Sequence, residues 1–175
     1  MGPSNPLFEH ASGLRATMTG FPYDDIEEWR AIFPLDLFEE QFRKLSVKWQ
    51  AGLDQLLKEV TEEELAANPR FAEFTDVSIA TLCLFKSSYH QIAYNRIRNQ
   101  YWEEKDAVKR EACRLQILKL LDLEQKTAEQ MYEVMLRNST IGYEAANHYF
   151  FNKMSVAEKI ICCGYLKERF GQNND

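Results

Sequence analysis

The chain has 175 residues, of which 45% are hydrophobic and 13% aromatic, enough to bury one good core and too few to ask for a second complete domain. A formal net charge of −6 argues against a phosphate-tracking surface, because nucleic-acid affinity rests on Lys and Arg replacing counterions. No stretch approaches the roughly 20 apolar residues of a membrane span, and no basic region followed by an apolar run opens the chain. Neither nucleic acid nor membrane is therefore an expected partner, and the compartment stays open.

Taken in chain order, the start "MGPSNPLFEHASG" is rich in Pro, Gly and Ser, as an interdomain linker or a cloning remnant would be. "GFPYDDIEEWRAIFP" follows with Trp29 and Arg30 in an irregular context, so residues 1–33 read as an irregular N-terminal arm. Two readings fit it: Phe21, Trp29 and Phe33 pack on the rest of the chain, or the stretch faces a neighbouring domain.

Leu35, Phe38, Phe42, Leu45, Trp49, Leu53 and Leu56 recur at a 3-4 spacing and predict a helix over 35–59, with Pro34 where a first turn tolerates it. That stripe also predicts that Trp49 lies in the core, as does Phe85 further on. Thr61 and Glu64 form a capping box that opens a short helix ended by Asn68-Pro69. No Pro or Gly interrupts 70–102, where Phe71, Phe74, Ser78, Leu82, Phe85, Tyr89 and Ile92 trace a second stripe. After "YWEEKDAV" the pattern resumes over 107–137 with Cys113, Ile117, Leu120, Leu121, Ala128, Met131 and Met135 on one face. A last helix is expected from Ser155, with Glu158 reaching back to it, through Ile160, Ile161 and Leu166 to Gly171.

The expected fold is all-α: an antiparallel helical bundle of three long helices plus a shorter C-terminal one, over 34–170, with a tail at 171–175. Cys83, Cys113, Cys162 and Cys163 lack C-x-x-C spacing, and the vicinal pair points about 100° apart on a helix, so buried or half-buried thiols are expected. No histidine or carboxylate spacing seeds a metal centre, and no cofactor is expected.

Two constellations could carry chemistry. "IGYEAANHYFFN", residues 141–152, holds Glu144, Asn147, His148 and Tyr149 between two helical stretches; a carboxylate near an imidazole can set its tautomer and shift its pKa. The plain alternative is a plug, with the aromatics filling the bundle end. The other constellation is Glu124, between Leu121 and Ala128, facing "FKSSYHQIAYNRIRN" with Ser87, Ser88, Gln91, Asn95 and Arg96. These polar groups either satisfy one another in the interior or line a cleft for a polar ligand such as a sugar.

Taken together, "YDDIEEWRAIFPLDLFEEQFRKLSVKWQAGLDQL", "LFKSSYHQIAYNRIRN" and "RNSTIGYEAANHYFFNKMSVAEKIICCGYL" resemble the C-terminal helical region of large bacterial glycoside hydrolase-like proteins. The resemblance implies an accessory, non-catalytic domain packing on an upstream catalytic barrel, with Trp29, Arg30, Glu144, Asn147, His148 and Tyr149 approaching that domain or a carbohydrate. The chain departs from the pattern at His90 and at Phe151-Asn152-Lys153. The other reading is a free-standing helical interaction or oligomerisation module, and a small complete hydrolase is disfavoured because no second paired carboxylate is visible.

Overall fold

A computed structural model describes residues 2–15, 24–143 and 151–172. Among the described residues every regular element is helical: α1 (Ile26–Arg30), α2 (Leu35–Lys58), α3 (Glu62–Ala67), α4 (Pro69–Glu103), α5 (Ala107–Arg137) and α6 (Lys153–Gly171). No described helix is long and apolar enough to cross a membrane.

Each boundary has a local chemical cause. Thr61 Oγ1 accepts from the Glu64 amide at 3.2 Å while Glu64 Oε2 accepts from the Thr61 amide at 2.8 Å, the reciprocal box expected for α3. Asn68 both ends α3 and caps α4, its side chain accepting from the Phe71 amide at 3.2 Å, with Pro69 at the first helical position. Asp106 Oδ1 accepts from the amides of Val108 and Lys109 at 2.9 and 3.0 Å and starts α5. The C-terminal helix begins earlier than expected. Asn152, not Ser155, is the cap, accepting from the amides of Met154 and Ser155, while Ser155 Oγ returns a bond to the Asn152 amide. Short α1 also forms inside the stretch expected to be irregular, capped by Asp25.

α4 and α5, joined by three residues, pair along their lengths. Asp76 meets Arg137, Cys83 meets Gln130, and Ser87 and His90 meet Glu124, so partners advance along α4 as they retreat along α5. α6 packs on α5, and α2 on α4. The α5 stripe is buried as the spacing requires: Cys113, Ile117, Leu120, Leu121, Ala128, Met131 and Met135 all lie in the core. The thiols of Cys83, Cys113 and Cys163 are buried and that of Cys162 half-buried, none in a disulfide.

Several expected core positions on α2, α4 and α6 lie elsewhere. Trp49 is 39% exposed and Phe74 56%, because among the described helices α2 packs substantially only on α4, which leaves its outer side open. Phe85 is half-buried, edge-on to Trp49 with ring centres 5.4 Å apart. Ile161 is 73% exposed; the inward row of α6 is instead Val156, Lys159, Cys163, Leu166 and Phe170.

The N-terminal residues do not behave as a linker. Gly2, Pro3, Asn5 and Leu7 are buried, and Leu7 joins the same core as Ala93, Ile97, Ile117 and Leu166. Residues 2–10 form a strap laid on α4 and α6, and arm and helices share one interior.

The base of the 141–152 motif is closed by a neck. Phe151 donates its amide to the Gly142 carbonyl at 3.0 Å, and Phe151 and Ile141 pack beside Met135 and Val156. Gly142 has φ +94°, and a Cβ there would sit 2.2 Å from the Phe151 carbonyl oxygen. Gly142→Ala is therefore expected to cost about 1–3 kcal/mol through backbone strain and collision. Urea midpoints check it, and an unchanged midpoint would mean that the neck does not hold the two helix ends together.

Candidate functional site

The chemically richest place among the described residues is a buried cluster around Glu124. Glu144, Asn147, His148 and Tyr149 lie outside the described residues. Trp29 and Arg30 lie on α1, where Arg30 is engaged locally: its Nε donates to Glu27 Oε2 at 2.9 Å and its Nη1 to the Phe33 carbonyl at 2.9 Å. Trp29 is half out of the surface beside exposed Ile32 and Phe33.

The rich place is midway along the helices. Glu124 projects from α5 into the interior. Its Oε1 accepts from Ser87 Oγ and lies 3.0 Å from Lys159 Nζ, and its Oε2 lies 2.9 Å from His90 Nδ1. The ionised carboxylate accepts, which places the imidazole hydrogen on Nδ1. Gln91 Nε2 donates to Ser87 Oγ at 2.8 Å and to the Gly2 carbonyl at 2.6 Å, and Lys159 Nζ donates to the Asn5 carbonyl. Glu124 and Lys159 are essentially inaccessible to solvent. Burial alone would push the Glu124 carboxyl up; the Lys159 ammonium, His90 and the Ser87 hydroxyl outweigh it and hold the group down to about 2 from an ordinary 4.5.

A second buried ion pair sits further along α4. Arg98 Nη1 lies 3.4 Å from Asp24 Oδ2 and donates to the carbonyls of Phe8 and His10 at 3.2 and 3.3 Å. Asp24 in turn accepts from the Ser12 amide and hydroxyl at 2.8 and 2.7 Å. Arg96, by contrast, reaches outward to Glu39 at 2.6 Å.

What this arrangement can do follows from its order. Nucleophilic catalysis by a serine–histidine–carboxylate set needs the imidazole between hydroxyl and carboxylate, so that the ring takes the hydroxyl proton. Here the carboxylate is in the middle, accepting from Ser87 on one oxygen and His90 on the other, and Ser87 is fully buried. Glycoside hydrolysis needs two carboxyl groups flanking one bond. Glu124 and Asp24, the buried carboxylates among the described residues, belong to separate clusters, each with its own buried cation. Burial pushes the thiols of Cys83 and Cys163 up to about 12, far from the thiolate a nucleophile requires. Among the described residues no three His, Cys, Asp or Glu side chains gather as a metal site.

The alternatives for the Glu124 constellation are thus decided by geometry. Glu124, Ser87, His90, Gln91 and Lys159 form an interior hydrogen-bonded network that ties α4, α5 and α6 together, whereas Asn95, also buried, leaves its Oδ1 without a hydrogen-bond partner among the described residues. Ser87 and Gln91 belong to the network, Arg96 does not, and Lys159 and Arg98 complete the two clusters. Lys159 had a signal in the sequence: it interrupts the 156, 159, 163, 166, 170 row, whose 3-4 spacing marks a buried face.

Two surface features remain. A notch of 240 Å³ where α2 meets the start of α4 is lined by Trp49, Gly52, Leu53, Leu56 and Phe74, and exposed Leu45 and Val77 extend the apolar surface beside it. A cleft of 610 Å³ lies between the segment that follows the strap, α1 and α4, with Asp25, Glu27, Glu28, Asn99, Gln100 and Glu103 among its walls. No family model, curated protein or solved structure matches the chain.

Proposed function

We propose that this chain is a non-catalytic helical domain whose long helices act as one antiparallel bundle and whose exposed α2–α4 seam docks on another protein domain. The observation that supports the reading is the apolar notch: Trp49 and Phe74 stay partly exposed around Gly52, where an added Cβ would meet nothing within 4 Å. A glycine inside a helix costs about 1 kcal/mol relative to alanine, which is understandable where a second backbone comes close. On the resemblance to glycoside hydrolase-like proteins, the docked domain is the catalytic barrel of a carbohydrate-active protein. Trp29, Arg30 and Glu144, Asn147, His148 and Tyr149 would then face that domain or its sugar, and the carboxylate- and amide-lined cleft beside α1 offers groups of the type that bind sugar hydroxyls. The same notch favours a second reading, a free-standing interaction or oligomerisation module.

Sedimentation and binding separate the two. The accessory reading expects a monomer without activity on aryl glycosides that co-elutes with a barrel domain of a carbohydrate-active protein, an association lost in Phe74→Ser at an unchanged melting temperature. The module reading expects a reversible dimer broken by the same substitution. Aryl glycoside turnover by the isolated chain, abolished in Glu144→Gln, would overturn both.

A further inference from the structure

The strap is held in an unusual way. Six side chains on two helices donate to its main-chain carbonyls. From α4, Gln91 Nε2 reaches the Gly2 carbonyl at 2.6 Å, Tyr94 Oη the Phe8 carbonyl at 3.0 Å and Trp102 Nε1 the Glu9 carbonyl at 2.8 Å. Arg98 Nη1 spans the carbonyls of Phe8 and His10. From α6, Lys159 Nζ takes the Asn5 carbonyl and Cys162 Sγ the Leu7 carbonyl at 3.2 Å. Residues 91, 94, 98 and 102 recur every three or four positions, so they form one row of donors on one face of α4.

The segment they hold is matched to them. Pro3 and Pro6 have no N–H, so the strap carries carbonyls in excess of its own donors. Its side chains contribute in few places: Leu7 fills an apolar seat, Glu9 meets Arg169 at 3.1 Å, and His10 stacks on Trp102 with ring centres 4.3 Å apart. Side-chain donors that meet the carbonyls of Gly2, Asn5 and each residue from Leu7 to His10, with one apolar seat, hold this segment by its backbone as a groove holds a peptide. Beyond His10 the chain surfaces, and residues 11–15 are exposed.

We propose that the face between α4 and α6 is a peptide-binding groove that takes an apolar, proline-containing segment by its carbonyls, is filled here by residues 2–10, and accepts the same segment in trans. The groove is distinct from the α2–α4 seam and does not depend on what docks there.

The test uses the full chain with a protease site introduced between Gly13 and Leu14, cleaved after folding. A fluorescently labelled peptide spanning residues 2–12 is then added in excess, followed by gel filtration and circular dichroism. The expected result is that the nicked strap stays with the helices, that the labelled peptide replaces it, and that a peptide carrying Leu7→Asp binds at least about tenfold more weakly, because the apolar seat is lost. A strap that leaves without uptake of labelled peptide, one that stays but never exchanges, or helices that unfold on nicking would each overturn the proposal. So would equal binding of the Leu7→Asp peptide.

Discussion

Lys159→Met is expected to lower the unfolding free energy by about 3–5 kcal/mol, because it leaves the buried Glu124 carboxylate without its cation. Lys159 lies on the inward row of α6, its ammonium 3.0 Å from Glu124 Oε1 and bonded to the Asn5 carbonyl, with no solvent to replace either partner. The loss therefore has two parts, an uncompensated interior charge and an unmet strap carbonyl. Replacing both ends of the pair with apolar groups of similar shape removes the first part, so Glu124→Leu with Lys159→Met should be more stable than Lys159→Met alone. Urea unfolding of the single and double variants measures this. A double variant no more stable than the single one would show that the two charges do not act as a pair.

Leu121→Ala is the second large effect, at about 2–5 kcal/mol for a fully buried leucine that cannot be refilled by neighbours on three helices. Leu121 has no exposed surface and lies in the core formed by Leu7, Ile97, Ile117 and Leu166. Trp49→Ala should cost less than Leu121→Ala despite removing a larger side chain. What Trp49 loses is its edge-on contact with Phe85 and one hydrogen bond, Nε1 to the Ser78 carbonyl at 2.9 Å, a bond worth about 0.5–1.5 kcal/mol. Denaturation midpoints in the reverse order would mean that the α2 face is covered in solution.

The difference between those two residues shows how far the sequence could be read. Both sit on clean 3-4 stripes. The α5 stripe is flanked by α4 and α6 and is buried throughout, whereas the α2 stripe packs substantially on one described helix, and periodicity reports that a face is apolar without saying how many elements cover it. α4 is harder because it is buried on more than one side: Leu82 and Ile92 lie on the predicted stripe, but the row that faces Glu124 and the strap runs through Ser87, Gln91, Tyr94 and Arg98. Tyr94 and Arg98 in that row carry no mark of burial in the sequence. Helix ends were legible where the capping pattern is explicit, as at Thr61 and Asn68-Pro69, whereas the Asp106 cap was seen only as a break in the pattern. The α6 start was misplaced because Asn152 and Ser155 both offer capping oxygens, and the asparagine makes both amide contacts.

Of the candidate site, Glu124 and its α4 partners Ser87 and Gln91 could be seen as an interior polar set or a cleft lining, and only the distances separate these. Lys159 and Arg98 were missed because a long basic side chain is ordinarily solvated, and its burial depends on a carboxylate far away in sequence. The strap was missed for a different reason. Pro and Gly content marks a segment that forms no helix, and says nothing about whether its carbonyls find donors.

The central claim is that the buried carboxylate is structural and not poised for proton transfer, and the titration of Glu124 tests it most directly. Its folded carboxyl is held below the ordinary value, so its contribution to stability is present above about pH 4.5 and is lost as the pH falls from there toward about 2. Carboxyl carbon NMR on selectively labelled protein should show Glu124 ionised throughout the neutral and mildly acid range, protonating only as the fold gives way below pH 4.5. A titration of Glu124 in the intact fold near pH 6 to 7, where a general acid or base is expected to work, would contradict the account.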